Sequence, residues 1–373
     1  MTEPYENPAE RLAGINLKDG WKVGEKLPTG RRGGGTGGFF SVSYSVANGK
    51  QQAFLKAFDI FKPIAKAVEN GQPFTTALLL QLQAYEFEAQ LHTICANSNM
   101  RRIVKILTHG QVDVALVPGE QFGTVPYMIM ELADGGDVRS YIHNSPDFDT
   151  SLQLYYLRDV VSGLNQLHKA QIAHQDLKPS NVMIFSEAGA KIGDLGRASK
   201  QNSYGLFDTL NIAGDKAYAP PEQIYKLTLE NWLDKRQRCD LYQFGSLISF
   251  LFFGMTFNTV LIEKLPTELI PIEWGGKNSS YDQALPFLTE LFNETLIQWK
   301  ESLPIWLADD LIAIIDQCGN PDYRVRGMQK KTDSQLTSLG LDRLVSRLDN
   351  LGFKATIEAR KNSARKTEQG LKA

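Results

Sequence analysis

The residues of this chain best suited to chemistry fall in one run, His174-Gln175-Asp176-Leu177-Lys178-Pro179-Ser180-Asn181, and one cluster, Gly193-Asp194-Leu195-Gly196. Val182, Met183 and a strand-like AKIG lie between them, with 194 − 181 = 13 residues from Asn181 to Asp194. Carboxylate and carboxamide oxygens are donors that a hard divalent cation takes. A carboxylate can also accept a hydroxyl proton, and an ammonium attracts phosphate oxygens. Any one of these residues alone reads as a turn residue capping a helix. Together they form the set that phosphoryl transfer needs.

The set resembles the catalytic loop and metal-binding motif of eukaryotic-type (Hanks-type) Ser/Thr protein kinases, and the resemblance extends over about Val23 to Arg326. It implies an α+β, bilobal protein-kinase-like fold with a strand-rich N-lobe, a helical C-lobe and a cleft between them. It also implies ATP and Mg²⁺ as cofactors and a protein substrate. Asp176 is then the base at the acceptor hydroxyl, Lys178 steadies the γ-phosphate, and Asn181 and Asp194 hold Mg²⁺. Lys178, two residues past the base, favours serine and threonine over tyrosine acceptors. His174, and His168 in LNQLH, read as structural.

Other parts of the kinase signature follow by position. Gly35-Thr36-Gly37-Gly38-Phe39-Phe40-Ser41-Val42 resembles the glycine-rich loop, with Gly35, Gly37 and Val42 as nucleotide contacts and Phe40 in place of the third glycine. Lys56 in AFLK resembles the strand lysine that pairs with the α/β-phosphates, and Phe54 stands where the family places a small alanine over the adenine. Lys56 needs a helix glutamate. Glu86 and Glu88 are two residues apart and cannot share a helix face, and Glu88 is the better fit because Leu91 and Ile94 follow it at core spacing. The separation 88 − 56 = 32 is long for the family and implies an insertion within Phe61 to Thr76. Met130 resembles the residue behind the adenine, Glu131 to Ala133 the hinge, Asp137 a ribose contact and Met183 a further nucleotide contact. An ordinary strand followed by a DGGD turn remains an equal reading of the segment ending at Asp137.

Downstream, Gly214-Asp215-Lys216-Ala217-Tyr218-Ala219-Pro220-Pro221-Glu222 resembles the segment that closes the activation loop. By the resemblance Glu222 pairs with Arg324 of NPDYRVR, and Asp240 of CDLYQFGSL accepts hydrogen bonds from the catalytic-loop backbone. Beyond Phe40 and Phe54, three more residues depart from the family pattern: Pro220 for alanine, Asp215 for the substrate-positioning threonine, and Gln175 for the arginine that grips a phosphorylated loop residue.

The elements that must position these residues can be read from periodicity. FSVSYSV alternates apolar and polar, ANGK supplies a hairpin turn, and QAFLKAF returns as a second strand. Lys62 to Ile94 is helical in pattern, and RRIVKILTHG, VDVALVPGEQFG and VPYMIMEL read as three further strands. From Ser151 the period changes. Leu157, Val160, Val161, Leu164 and Leu167 mark one face of a long helix. Asp240–Gly254 and Trp306–Cys318 continue the helical pattern. The domains expected are residues 1–17 as an N-terminal segment, 18–133 as the N-lobe, 134–332 as the C-lobe, and 333–373 as a short amphipathic helix with a basic, solvated tail.

Composition limits the alternatives. In 373 residues, 40 Lys+Arg stand against 42 Asp+Glu, so binding nucleic acid through a broad basic surface is not expected. The cysteines, Cys95, Cys239 and Cys318, are odd in number and widely spaced, which excludes a disulfide framework and points to a reducing compartment. The polar N-terminus is no signal peptide, and the longest apolar stretch, Phe244 to Phe253, is about half a bilayer span. A cytoplasmic protein with no membrane partner is expected, its oligomeric state open. Two rival readings are a pseudokinase, which Phe40, Phe54, Gln175 and Asp215 favour, and a small-molecule phosphotransferase of the same fold. D-L-G and PPE speak against the second.

Overall fold

A computed structural model of the chain describes residues 6–27, 41–49, 51–144, 149–277, 279–327 and 339–370. The elements in chain order are β1 (Lys22–Lys26), β2 (Ser41–Asn48), β3 (Gln51–Phe58), α1 (Phe61–Glu69), α2 (Phe74–Asn97), β4 (Ile106–Asp113) and β5 (Thr124–Glu131). They are followed by α3 (Val138–Asn144), α4 (Thr150–Lys169), β6 (Ile172–Ala173), β7 (Val182–Phe185), β8 (Gly189–Ile192), β9 (Ser199–Lys200) and α5 (Pro221–Ile224). The last are α6 (Arg238–Phe253), α7 (Phe257–Lys264), α8 (Tyr281–Ser302), α9 (Ile305–Gly319) and α10 (Leu341–Gly370). Two compact units result: the chain up to Gly136 with Gly193–Gly196, and Asp137–Ile192 with the chain from Arg197.

The first unit is built on an antiparallel sheet of order β1-β2-β3-β5-β4. Val42, Tyr44 and Val46 pair with Ala57, Leu55 and Ala53, so these six share one face, and all are buried. The N-terminal segment contributes to the same core. Ala9 and Leu12 are fully buried with it, and the Tyr44 hydroxyl donates to the Ala9 carbonyl at 2.8 Å. Burial of Leu12 contributes about 2 kcal/mol.

The five strands are not quite the five expected. β1 carries only one buried residue, Val23, so its pattern is weak. VDVALVPGEQFG is not a strand of its own: Val112 and Asp113 end β4, and Val114 to Gly123 turn back toward β5. The single helix read over Lys62 to Ile94 is two, parted at Gly71 (φ 85°) and Pro73, a conformation and a residue that a helix interior does not accept. α1 lies within Phe61 to Thr76, the stretch where an insertion is expected.

The second unit is helical. α4 is capped by Asp149, whose carboxylate accepts from Ser151 N at 3.0 Å, and Leu157, Val160, Val161, Leu164 and Leu167 are its buried face. α6 is buried around almost its whole circumference, including the polar Asp240, Gln243, Ser246 and Ser249, and stops at left-handed Gly254. Among the described residues no single helix is long and apolar enough to cross a membrane.

Two expectations are corrected here. The C-terminal helix is longer than expected: α10 runs from Leu341 to Gly370 and packs on α4, and its described residues beyond Ala355 are exposed or half-buried. Leu341, Leu344, Leu348, Leu351 and Ala355 are buried, and a Cβ at Gly352 would lie 2.8 Å from the Tyr155 ring. A sparse apolar stripe packs, while Lys354, Arg360 and Lys361 are exposed. Glu222 pairs with Arg326 and not with Arg324. Arg326 makes two 2.7 Å bonds to the Glu222 oxygens with both groups buried, while Arg324 turns outward to Asp322. The 3-10 turn Tyr323–Val325 sends the two arginines in different directions.

This ion pair is decisive for the second unit. Arg326→Ala leaves a buried carboxylate unpaired and is expected to cost about 3–5 kcal/mol in urea denaturation. Arg324→Ala is expected to change stability by no more than about 0.5 kcal/mol. Equal losses would overturn the assignment.

Candidate active site

In the first unit, strand alternation decides which side chains can act together. Lys56 on β3 lies opposite Ser43 on β2 and Met128 on β5, and Phe54 lies opposite Ser45 and Met130. Phe54, Lys56, Met128 and Met130 therefore share the face away from the Tyr44 core. Val42 does not. It lies one position off, in that core with Leu55, so its expected nucleotide contact is corrected and Ser43 takes the place beside Lys56. Gly35, Gly37 and Phe40 lie outside the described residues.

Lys56 Nζ is 2.7 Å from Glu88 Oε1 and 3.0 Å from Asp194 Oδ1. Glu88 is buried on the same α2 face as Tyr85, Ala89 and His92, while Glu86 is exposed, which decides between the two glutamates. Burial pulls the Lys56 ammonium down, but Asp194 and Glu88 outweigh it and hold it above its ordinary value. Asp194 has a left-handed backbone (φ 55°) and accepts from Gly196 N at 3.3 Å. Glu131 ends β5, where its carboxylate accepts from Lys105 N at 2.8 Å, and Ala133 follows in the turn leading to Gly136.

In the second unit, Asp176 is 7% exposed and is held by donors on both oxygens. Oδ1 accepts from Lys178 Nζ at 3.1 Å and from Asp215 N at 2.8 Å. Oδ2 accepts from Asn181 Nδ2 at 3.1 Å and lies 2.9 Å from Lys178 Nζ. The Asp215 carboxylate, in the expected threonine's place, is 3.6 Å from Lys178. A Cβ at Gly214 would fall 2.6 Å from Asp176 Oδ1 and 2.4 Å from the Gln175 carbonyl, so only glycine lets this segment approach the loop.

The loop is held from beneath by α6. Asp240, fully buried, accepts from His174 N and Gln175 N at 2.8 Å each, and its Oδ2 is 2.8 Å from His168 Nε2. Gln243 accepts from Leu177 N and donates to the Gln175 carbonyl, both at 2.9 Å. The sequence reading missed Gln243; its signal was the i, i+3 spacing from Asp240 on one helix. These bonds hold Gln175 at φ 67°, a left-handed conformation unfavourable for a glutamine.

The remaining assignments fall to other positions. Asp137 caps α3: its two carboxylate oxygens accept from Ser140 N at 3.0 Å and Ser140 Oγ at 2.8 Å, the bland alternative to a ribose contact. Met183 on β7 is half-buried and bridges to Asp137. Among the described residues no group of three or more His, Cys, Asp and Glu could hold a metal ion. The carboxylate of Asp194 and the carboxamide oxygen of Asn181 are each of the hard oxygen type that magnesium takes.

The match to known proteins follows this geometry. The protein kinase domain family model matches residues 85–324. The chain is similar to the serine/threonine-protein kinase PknL of Mycobacterium tuberculosis, 25% identical over 224 residues, 58% of this chain and 50% of that protein. It is also similar to serine/threonine-protein kinase atg1 of Dictyostelium discoideum, 32% identical over 160 residues, 41% of this chain and 22% of that protein. A third relative is rhodopsin kinase GRK1 of Rattus norvegicus, 33% identical over 118 residues, 31% of this chain and 21% of that protein. The chain thus spans half or less of the length of these relatives. Lys56 precedes the matched stretch, and its place rests on the ion pairs above. The family match takes in 324 − 85 + 1 = 240 of 373 residues, including Glu88, the Asp176 loop, Asp194 and Glu222, and the chain belongs to the protein kinase domain family.

Proposed function

We propose that this chain is an ATP- and Mg²⁺-dependent kinase that transfers the γ-phosphate to a serine or threonine hydroxyl of a protein substrate. The Asp176 carboxylate, fixed from both sides by Lys178, Asn181 and the Asp215 amide, is the observation that carries this reading. Lys178 and the serine/threonine kinases among the relatives support the acceptor class.

In this mechanism Asp176 orients the acceptor hydroxyl and takes its proton as the new O–P bond forms. Lys178 offsets negative charge on the transferring group. Lys56, kept charged by Glu88, holds the nucleotide phosphates, and Phe54 and Met130 border the adenine. Asp194 and Asn181 are the residues that would hold Mg²⁺, which when bound neutralises charge on the phosphates. The glycine-rich segment around Gly35 and Gly37 belongs to the same nucleotide site in this reading.

Asp176→Asn is expected to abolish phosphate transfer to myelin basic protein or casein while leaving nucleotide binding intact, because its carboxylate meets the acceptor. Asp194→Asn is expected to weaken Mg²⁺-dependent nucleotide binding as well. Equal transfer by wild type and Asp176→Asn would exclude this mechanism, and nucleotide binding without transfer by wild type would favour the pseudokinase.

Phe54, half-buried on the Lys56 face, is expected to form a wall of the adenine site. Phe54→Ala then weakens ATP binding by up to about tenfold, or about 1.4 kcal/mol, through lost apolar contact. Calorimetry showing tighter binding would mean that the ring intrudes on the site.

A further inference from the structure

Arg236 is a buried cation, 2% exposed, on the π-helical turn Leu233–Gln237. Its Nη1 donates to Gln175 Oε1 at 3.0 Å, and Gln175 Nε2 donates back to the Arg236 carbonyl at 2.8 Å. Its Nη2 donates to the Asp208 carbonyl at 2.6 Å and lies 3.7 Å from Asp208 Oδ1. Asp208 closes a turn in which its Oδ2 accepts from Gly205 N at 2.7 Å and its own N–H donates to the Gly205 carbonyl at 3.1 Å. Arg197 lies over the Phe207 ring, 3.9 Å from its centroid. A continuous path of bonds therefore joins residues 205–208 to Gln175, the strained residue immediately before Asp176.

A buried guanidinium is costly without a counter-charge. Burial draws Arg236 below its ordinary value, and the carboxylates of Asp208 and then Asp240 oppose that. Asp240 is already engaged by the loop backbone, which leaves Asp208 as the charge supplied by the segment after Asp194. Phosphorylation commonly supplies such a charge by placing an anion opposite an arginine. The hydroxyl residues of this stretch are not placed for that. Ser203, Tyr204 and Thr209 are exposed, Tyr204 at 79%, and buried Ser199 accepts from Trp232 Nε1.

We propose that Asp208 is a built-in counter-ion for Arg236, a positioning residue that orders the segment after Asp194 and sets Gln175 and Asp176 without phosphorylation of that segment. The proposal rests on the kinase reading for its effect on rate, but not for its effect on order.

The test uses the full chain, assayed with myelin basic protein against Asp176→Asn as background, with hydrogen exchange measured in parallel. Phosphatase treatment, or the combined change Ser203→Ala, Tyr204→Phe and Thr209→Ala, is expected to alter activity by less than about twofold. Asp208→Asn is expected to lower kcat about tenfold or more with KM for ATP little changed, and Asp208→Glu to recover most of it. Amide exchange across residues 203–212 rises about tenfold in Asp208→Asn, with the thermal midpoint unchanged. A hundredfold loss on dephosphorylation overturns the proposal, as does unchanged exchange or global unfolding in Asp208→Asn. If wild type does not exceed the Asp176→Asn background, the kinase reading fails, and the exchange measurement still decides the counter-ion role.

Discussion

The second unit depends on one buried carboxylate. Asp240 sits on a helix packed on nearly every side, where an unpaired charge would cost several kcal/mol. Two backbone amides, His168 and the Gln175 side chain surround it, and each bond that satisfies Asp240 also fixes the chain from His174 to Gln175. The favourable energy of these bonds is what sustains a glutamine at φ 67°. Asp176 follows immediately, so its position depends on a charge 240 − 176 = 64 residues away in sequence, which acts through the backbone of His174 and Gln175. Gln243, one turn along α6, repeats the device on the next peptide groups.

The first unit solves a similar problem with an ion pair. Its sheet has one apolar face, buried by the N-terminal segment, and one face that carries Lys56. A lysine desolvated there needs anions, and Glu88 from α2 and Asp194 supply them from different parts of the chain. The pairing makes the position of α2 and the backbone of Gly193–Gly196 conditions for a charged, oriented Lys56. A Cβ at Gly196 would come 3.0 Å from Glu88 Oε2, so the approach of these two elements depends on a residue without a side chain.

Two departures from the expected family pattern lie beside Asp176 and leave its hydrogen bonds in place. Asp215 replaces a threonine, yet it is the backbone amide of that residue that reaches Asp176. Gln175 stands where an arginine is expected, and a guanidinium from a different element, that of Arg236, donates to its side chain. The chain belongs to the protein kinase domain family at 25–33% identity to the named relatives.

The sequence by itself determined the features whose signal is local. The spacing of Asp176, Lys178, Asn181 and Asp194 pointed to the protein kinase family that the match bears out, because loop and turn motifs carry their residues in one short stretch. The stripes of α4 and α9 were legible because a helix face repeats every three to four residues, and Glu88 was separable from Glu86 because two residues turn a helix by more than half a circle. Tertiary structure decided what depended on phase or on a distant partner. Val42 and Ser43 differ by one position, and only pairing with β3 shows which faces Lys56. Arg324 and Arg326 are chemically identical, and a 3-10 turn chooses between them. The sparse stripe of α10 becomes a packed helix only because α4 offers a complementary surface, including the space that Gly352 leaves for Tyr155. Arg236 and Asp208, 236 − 208 = 28 residues apart, carry no shared pattern at all. Their pairing exists because folding buries the guanidinium, and a buried charge must find its opposite wherever the chain has brought one.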